Sequence, residues 1–136
     1  ELIEMVKGDS EQLPYADNTF DAITVGFGVR NFENLEAGLS EMLRVLKPGG
    51  RVAILEFSRP SVFPVKQLFS FYFKVVLPVI GKWFSKDERA YTYLPESVAV
   101  FPEGEDFLAI LKRLGYKNTE CRRLTFGISS IYLGSK

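Results

Sequence analysis

The feature that most constrains the fold is a strand, a helix and a second strand joined by short links. Residues 20–25 form a β-branched run typical of a strand, and residues 34–46 repeat apolar side chains at helical spacing. Asn34 is a suitable N-cap, and the segment 47–50, Lys-Pro-Gly-Gly, ends the helix. Residues 51–57 form a nearly all-apolar second strand. Two strands linked through a helix lie parallel in one sheet, and we expect both to be buried.

Two loops follow predicted strands and form the candidate ligand site. Residues 8–10, Gly-Asp-Ser, come after the apolar run 2–6, which we also interpret as a strand. Residues 26–31, Gly-Phe-Gly-Val-Arg-Asn, come directly after the strand 20–25. Ligands of open α/β sheets bind in the crevice outside the carboxyl ends of the strands. We therefore expect both loops to border one crevice.

The second half of the chain completes the sheet. A helix is expected to begin near Pro95, and another is predicted over residues 103–114, with an acidic start, a basic end and a glycine stop. Residues 117–124 and 128–133 are predicted to form an antiparallel hairpin that closes the sheet. The pattern indicates one α/β domain without repeats or an interdomain linker.

Residues 58–86 differ in kind from the rest, because they are rich in aromatic side chains and are interrupted by lysines and prolines. The polar residues Lys66, Ser70 and Lys74 are four apart and form one stripe of a predicted helix. Such a helix either lies under other structure as a lid or lies on a membrane with its lysines at the headgroups. We favour the buried lid.

Composition excludes several function classes. Lys plus Arg and Asp plus Glu both number 17, so the zero net charge argues against nucleic acid as a partner. The chain has no histidine, and its single cysteine is Cys121. Nucleophile–histidine pairs, histidine-based zinc sites and an intramolecular disulfide are thereby excluded, and we expect no metal.

Three motifs resemble the class I S-adenosylmethionine-dependent methyltransferases from their third strand onward. They are residues 8–14 (Gly-Asp-Ser-Glu-Gln-Leu-Pro), residues 18–23 (Asn-Thr-Phe-Asp-Ala-Ile) and residues 44–51 (Arg-Val-Leu-Lys-Pro-Gly-Gly-Arg).

Further stretches resemble the UbiE/COQ5 family of quinone C-methyltransferases. These are residues 27–31 (Phe-Gly-Val-Arg-Asn), residues 55–60 (Leu-Glu-Phe-Ser-Arg-Pro) and residues 91–97 (Tyr-Thr-Tyr-Leu-Pro-Glu-Ser). Ala90 and Gly26 depart from the family pattern, which usually has serine and a small polar residue there.

The resemblance implies an α/β fold, the C-terminal part of a Rossmann-like class I methyltransferase sheet with parallel strands and a C-terminal antiparallel hairpin. It implies one partial methyltransferase domain over residues 1–136, with residues 58–100 inserted as an aromatic-rich helical cover of the substrate. The family's glycine-rich cofactor motif would lie upstream of residue 1. We therefore expect a C-terminal fragment that is inactive alone and binds S-adenosylmethionine weakly or not at all.

The resemblance implies a half-site for S-adenosylmethionine, the methyl donor. Asp9 would accept a hydrogen bond from the adenine amine, and the Ser10 backbone N–H would donate to a ring nitrogen. Gly26 would leave room for the ligand against the backbone. The alternative is that Asp9 and Ser10 only cap a turn and that the glycine only serves turn geometry.

Arg30 and Asn31 are the candidate catalytic residues, because methylation of a ring carbon requires an electron-rich quinol whose negative oxygen must be held. Arg30 would also orient a water that removes the ring proton. Phe27, Tyr91 and Tyr93 are the candidate substrate-binding residues. The alternatives are that Arg30 pairs with a surface carboxylate such as Glu33 and that both tyrosines belong to the core.

The implied function is S-adenosylmethionine-dependent C-methylation of a polyprenylated quinol, either demethylmenaquinol or the benzoquinol of ubiquinone biosynthesis. Methylation of another hydrophobic small molecule and a non-catalytic binding module of the same fold are the alternatives. We further expect a cytoplasmic location with peripheral contact to the inner face of the membrane. Exposed sheet edges would favour homo-oligomers.

Overall fold

The structure is a computed structural model and describes residues 3–84 and 88–136. Its strands are β1 (Phe20–Gly26), β2 (Leu46–Phe57), β3 (Lys117–Leu124) and β4 (Ser129–Ser135). Its α-helices are α1 (Leu35–Val45), α2 (Val65–Phe71), α3 (Leu77–Phe84), α4 (Glu88–Val100) and α5 (Glu105–Leu114). A π-helical turn (Tyr72–Val76) links α2 to α3, and 3-10 turns span Val29–Asn31 and Thr125–Gly127.

The strands form one mixed sheet in the order β1-β2-β4-β3. β1 runs parallel to β2, with Ile23 opposite Val52 and Val25 opposite Ile54. β4 is antiparallel to both β2 and β3. The predicted parallel unit and the C-terminal hairpin are therefore confirmed.

Helices α1 and α5 cover one face of the sheet and form the core with it. The Asn34 side chain caps α1 by accepting a hydrogen bond from the Ala37 backbone N–H, as predicted. Gly115 ends α5 in the left-handed region at φ 106°, which glycine adopts without strain. The buried core contains the following large apolar residues: Leu39, Met42, Ile54, Phe107, Leu111 and Tyr132.

Strand β2 begins five residues earlier than the predicted residue 51, because residues 47–50 pair instead of only ending the helix. Leu46 lies opposite Phe20 in β1. The chain end pairs with the glycines, since Gly49 N donates to Lys136 O (3.1 Å) and Lys136 N donates to Gly50 O (3.0 Å). Gly49 adopts φ 78° there, in the region that glycine favours.

The expectation that β1 is a buried strand is wrong. β1 is an edge strand, and its residues alternate between half-buried and exposed because only one of its faces is covered. The strand predicted over residues 2–6 is also not formed over residues 3–6, and residue 2 lies outside the described part of the chain. Residues 3–6 find no pairing partner among the described strands, and an unpaired segment gains no ladder hydrogen bonds.

Helix α4 begins at Glu88 rather than near Pro95, which lies inside the helix. Packing against α3 accounts for the difference: a Cβ added to Gly81 would lie 2.5 Å from Tyr91 Cγ. The contact between the two helices stabilises turns that precede the proline. Ser97 Oγ donates to the Leu94 carbonyl oxygen (2.9 Å) in the same part of the helix.

The helical segment from α2 to α3 is more exposed than the predicted buried lid. Phe73 is buried in its middle, whereas Phe71 is 59% exposed and Trp83 is 82% exposed. The polar stripe formed by Lys66, Ser70 and Lys74 borders a cavity that α4 also lines. No helix in the described part of the chain is long and apolar enough to cross a membrane.

Candidate functional site

The candidate site lies where β1 and β2 end, at the 3-10 turn Val29–Asn31. Phe27 follows β1 and donates its backbone N–H to the Leu55 carbonyl oxygen in β2 (2.8 Å). Its φ of 55° is in the left-handed region, which is uncommon for an aromatic residue. Strained backbone of this kind persists where surrounding contacts hold it and is frequent at ligand sites. The geometry thus places Phe27 and the following turn at the sheet end that binds ligands in such folds.

Arg30 is held by an ion pair inside the protein rather than by a surface carboxylate. Its Nη1 atom donates to Glu56 Oε1 (2.6 Å) and to the Phe27 carbonyl oxygen (2.7 Å). Its guanidinium carbon lies 5.4 Å from the centre of the Phe57 ring, a cation–π distance. The alternative partner Glu33 is not the residue that Arg30 contacts. The ordered guanidinium is suited to hold a negative oxygen.

Glu56 is a member of the site that sequence reasoning did not single out. It is fully buried near the end of β2, and its carboxylate also accepts hydrogen bonds from the backbone N–H groups of Phe57 (3.0 Å) and Arg30 (3.3 Å). The signal in the sequence is a charged residue in register with the core residues Val52 and Ile54 of an otherwise apolar strand. A buried carboxylate needs such a partner because its desolvation is costly.

Asn31 is joined to the inserted helices through a tyrosine. The Tyr93 hydroxyl of α4 donates to Asn31 Oδ1 (2.9 Å), while the Tyr93 side chain remains 49% exposed. Tyr93 and Arg30 also line one cavity of about 370 Å³ beside α4. Tyr91 does not join them, because its ring packs against Gly81. The structure therefore brings Phe27, Arg30, Asn31 and Tyr93 together and places Tyr91 between α3 and α4.

The first loop lies at a different pocket. Asp9 Oδ1 accepts a hydrogen bond from the Glu11 backbone N–H (2.9 Å), so the carboxylate caps a turn. Ser10 lines an open pocket of about 260 Å³. The loop is tied to the start of α1, since Asn34 N donates to Glu11 Oε1 (2.6 Å). Turn capping engages Asp9 Oδ1 and leaves Oδ2 as an acceptor for a ligand.

Gly26 offers space beside the backbone at the end of β1. A Cβ atom built on this residue would have no heavy atom within 4 Å, so the space beside the Gly26 backbone is open. Gly26 does not line the pocket that contains Ser10, so the first loop and the end of β1 border separate spaces. In the described part of the chain there is no cluster of three residues able to hold a metal ion.

An aromatic ladder leads away from Arg30 towards the inserted helices. We use this name for Phe27, Phe57, Phe73 and Phe69. The ring centres are 4.6 Å apart for Phe27 and Phe57, 6.2 Å for Phe57 and Phe73, and 4.3 Å for Phe73 and Phe69. The first two separations fall within the range of favourable aromatic pairs, and the Phe73 and Phe69 rings are stacked slightly closer.

The ladder opens into an apolar groove of about 610 Å³. Phe57, Phe69 and Phe73 are common to the ladder and the groove. The remaining lining comes from the inserted helices and from the segment that precedes β4, and includes Leu68, Tyr72, Leu77, Leu94 and Ile128. The groove therefore provides a mainly apolar surface near Arg30.

Burial makes two polar groups of the C-terminal hairpin poor nucleophiles. Burial raises the pKa of the Cys121 thiol, so less of it is thiolate near neutral pH. Burial also raises the pKa of the Tyr132 hydroxyl, which accepts a hydrogen bond from the Gly104 backbone N–H (2.8 Å). Both groups belong to the hairpin and its packing.

Comparison with known proteins identifies close relatives. The family model described as the ubiE/COQ5 methyltransferase family matches residues 1–136. The demethylmenaquinone methyltransferase of Bacteroides fragilis is 51% identical over 136 residues, which are 100% of this chain and 56% of that protein. The ubiquinone/menaquinone biosynthesis C-methyltransferase UbiE of Geotalea daltonii is 52% identical over 134 residues, 98% of this chain and 57% of that protein. The chain thus spans little more than half the length of these relatives.

Solved structures share the fold at low sequence identity. A SAM-dependent methyltransferase from Thermotoga maritima superposes with a TM-score of 0.68 at 18% identity, over 96% of this chain and 63% of that one. A SAM-dependent methyltransferase from Aquifex aeolicus gives a TM-score of 0.62 at 17% identity, over 96% of this chain and 53% of that one. The predicted Rossmann-like class I methyltransferase fold is confirmed by these likenesses.

Proposed function

Since the chain belongs to the ubiE/COQ5 methyltransferase family, we propose that it forms part of an S-adenosylmethionine-dependent C-methyltransferase of a polyprenylated quinol. The substrate would be demethylmenaquinol or the benzoquinol of ubiquinone biosynthesis, in keeping with the names of its relatives. The observation that carries the proposal is the aromatic ladder. It joins Arg30, which suits a charged quinol oxygen, to an apolar groove that suits a polyprenyl tail.

The reacting end of the site is Arg30 with Asn31 and Phe27. When bound, S-adenosylmethionine supplies an electrophilic methyl group on a sulfonium centre. The Arg30 guanidinium and the Asn31 amide would donate to the quinol oxygen and so favour its ionised form. The ring carbon of the ionised quinol is nucleophilic enough to accept the methyl group while the bond between that methyl and sulfur breaks. The ring then loses its proton to a water oriented by Arg30. Arginine suits this role because it stays protonated throughout.

Phe27 would place the quinol ring. Its side chain is 38% exposed and lies against Phe57, so a planar ring can stack on the outer side of the pair. Tyr93 would act at the same end through Asn31, whose amide oxygen it engages. With that oxygen occupied, the Asn31 amide N–H groups are left for the substrate. Tyr91 would act at greater distance, by packing α4 against α3.

The methyl donor would be held by the first loop and by Gly26. Asp9 would accept from the adenine amine through the carboxylate oxygen that does not cap the turn, and the Ser10 backbone N–H would donate to the ring. The open cradle at Gly26 would admit the donor against the end of β1. No metal is required, since positioning and charge stabilisation suffice for methyl transfer between these groups.

The inserted helices, within residues 58–100, would cover the substrate and contact the membrane. Several of their aromatic residues face outwards, as the 59% exposure of Phe71 and the 82% exposure of Trp83 illustrate. Between Glu56 and Asp87 the sequence contains no acidic residue, while Lys66, Lys74 and Lys82 add positive charge. Exposed aromatic and basic side chains on one helical segment favour the surface of an anionic bilayer. The protein would therefore work at the cytoplasmic face of the membrane that holds its substrate.

The test is an assay of the complete protein that carries this chain, with S-adenosylmethionine labelled in its methyl group. Demethylated naphthoquinol and benzoquinol are offered separately, each with a short and a long polyprenyl tail. We expect label on a ring carbon of one quinol and faster turnover with the long tail. Binding of a quinol without label transfer would instead indicate a non-catalytic binding module, and label on an unrelated apolar acceptor would indicate another methyltransferase.

A further inference from the structure

The buried carboxylate of Glu56 has no role in the reaction as described so far. It occupies the covered face of β2, where the preceding positions on that face are the buried residues Val52 and Ile54. Its exposure is 0%. An ionised carboxylate in such a position is strongly destabilising unless charged partners and hydrogen bonds compensate for its lost hydration. An apolar residue of similar size would fill the same space without that cost.

The compensation comes mainly from Arg30, which Glu56 contacts in two ways. Glu56 Oε1 accepts from Arg30 Nη1 (2.6 Å), and Glu56 Oε2 accepts from the Arg30 backbone N–H (3.3 Å). The carboxylate therefore fixes both the 3-10 turn and the guanidinium that extends from it. Phe57 N holds the carboxylate in turn by donating to Oε1 (3.0 Å).

The ion pair determines which edge of the guanidinium remains available. Nη1 is engaged by Glu56 and by the Phe27 carbonyl oxygen. Among the described residues, the buried Nε has no hydrogen-bond partner and Nη2 makes no hydrogen bond. In a planar guanidinium the Nε–H and one Nη2–H point the same way and form a fork that receives an oxygen anion. An unpartnered buried donor at this fork indicates a ligand oxygen or a water as its intended partner.

We propose that Glu56 is the positioning residue of the site: it holds Arg30 through Nη1 so that the Nε/Nη2 fork meets the quinol oxygen. This inference rests on the proposed function. Glu56 does not touch the substrate, and it acts on turnover only through Arg30. Without it, the guanidinium would rotate about its side-chain torsions and present its donors in many directions, so substrate would still bind but react slowly.

The experiment is a double-mutant cycle on the complete protein, with Glu56→Gln, Arg30→Lys and the double variant. Arg30→Lys keeps the charge and removes the fork, and we expect kcat to fall on the order of 100-fold. Glu56→Gln should lower kcat about 10- to 100-fold and change the KM for S-adenosylmethionine less than about 3-fold. In the Arg30→Lys background, Glu56→Gln should lower kcat by less than about a further 3-fold, because the guanidinium that Glu56 positions is no longer present.

Glu103→Gln is the matched control, since it also removes a carboxylate paired with arginines, Arg59 and Arg123, away from the site. Its kcat should stay within about 2-fold of the unsubstituted protein. Glu56→Asp is a second variant for the case that Glu56→Gln does not fold. It keeps the carboxylate but shortens the side chain by one methylene group. The fall in kcat that Glu56→Asp causes should also disappear in the Arg30→Lys background.

Equal losses from the Glu56 variants in both backgrounds would overturn the inference, because they would show a structural role independent of Arg30. An unchanged kcat in folded Glu56→Gln would overturn it as well. Absence of quinol methylation by the unsubstituted protein would overturn the proposed function and this inference together. If the unsubstituted protein methylates a quinol but the effects of the Glu56 and Arg30 substitutions on kcat are additive, the inference would be overturned and the proposed function would stand.

Discussion

Arg44 shows how one side chain can hold a loop of the site. It donates to the Leu13 and Tyr15 carbonyl oxygens and pairs with Asp17 and Glu41. Glu41 in turn accepts from the Leu13 backbone N–H (2.9 Å). Together the two residues dock the loop that follows Asp9 onto α1. Hydrogen bonding to Arg44 lowers the pKa of Glu41 below its ordinary value.

We predict that this loop undocks in acid. Because the pKa of Glu41 is lower in the folded than in the unfolded chain, its stabilisation is complete above the unfolded value, about 4.3, and is lost as the pH falls through the folded value. The protection factor of the Leu13 amide, which is its intrinsic exchange rate divided by the observed rate, should therefore fall at acid pH. Glu41→Gln should lower this protection factor at neutral pH and remove most of its pH dependence.

Glu120→Gln is the control for this prediction. Arg122 likewise lowers the pKa of Glu120, but that pair lies on β3. Glu120→Gln should leave the hydrogen exchange of the Leu13 amide unchanged. A loop amide that is equally protected at neutral and acid pH in the unsubstituted chain would contradict the role given to Glu41.

At the scale of elements, the hydrogen bond from Tyr93 to Asn31 is the direct link between α4 and the turn Val29–Asn31. It lets the inserted helices influence the orientation of the Asn31 amide. The aromatic ladder forms a second link, through Phe57 and Phe73. The inserted helices therefore contact the turn Val29–Asn31 and the end of β2 directly.

We predict that Tyr93→Phe lowers kcat about 3- to 10-fold, because the loss of one hydrogen bond of about 0.5–1.5 kcal/mol lets the Asn31 amide rotate. Thermal unfolding should change little, since the Tyr93 side chain is half-exposed. Steady-state kinetics with the preferred quinol measures the effect. Ser135→Ala, which removes a hydrogen bond to Asn118 at the far end of the sheet, should leave kcat unchanged.

The groove-lining side and the exposed outer side of the segment from α2 to α3 should have different functions. Phe69 lines the apolar groove and stacks on Phe73, whereas Phe71 is 59% exposed on the outer side. We predict that Phe69→Ser raises the KM for a long-tailed quinol about 10-fold, the loss expected from about 1.5 kcal/mol of apolar contact, and leaves a short-tailed quinol unaffected.

Phe71→Ser should have the opposite profile. It should weaken sedimentation with vesicles of phosphatidylglycerol and phosphatidylcholine and leave the KM of a detergent-dispersed quinol unchanged. If both variants behaved alike in the two assays, the groove and the outer surface would not be separate binding surfaces. Each variant serves as the matched control of the other, since both replace phenylalanine with serine in α2.

In the whole molecule, as far as the described residues show, the sheet is fully covered on one face and largely open on the other. α1 and α5 pack on the face that contains Val52 and Ile54. The opposite face forms an open concavity of about 510 Å³ lined by Thr24, Ala53 and Leu133, among others. β1 also forms the edge of the sheet, with ladder groups that no described strand engages. Such surfaces favour association with further protein.

We predict that the 136-residue chain alone self-associates through β1 and this face. Sedimentation velocity should show a concentration-dependent dimer. Thr24→Lys places a charge on the edge strand and should restore the monomer. Glu33→Lys, on an exposed loop, should not. A monomer at all concentrations would contradict the prediction.

We further predict that this chain alone shows no micromolar binding of S-adenosylmethionine in titration calorimetry. A dissociation constant of 1 µM requires about −8 kcal/mol, and the few hydrogen bonds at Asp9 and Ser10 supply about 0.5–1.5 kcal/mol each. The complete protein is the control and should bind. Micromolar affinity of the 136-residue chain would show that Asp9, Ser10 and Gly26 belong to a more complete site than proposed.

The order and type of most elements could be predicted from the amino-acid sequence, because periodicity, caps and glycine stops are local signals. The cap at Asn34, the end of α5 at Gly115 and the C-terminal hairpin follow from neighbouring residues alone. The motif 26–31 likewise placed Arg30 and Asn31 at a strand end. The UbiE/COQ5 resemblance was confirmed by the family match over residues 1–136.

Features that depend on contacts between residues distant in sequence became visible only in the folded chain. Whether β1 is buried depends on its neighbours in the sheet, and the start of α4 depends on Tyr91 packing against α3. The partner of Arg30 is 26 residues away in sequence, so local pattern could not select Glu56 over Glu33. An ion pair across two strand ends is a property of the fold, since the free energy of burying each charge is set by whatever surrounds it.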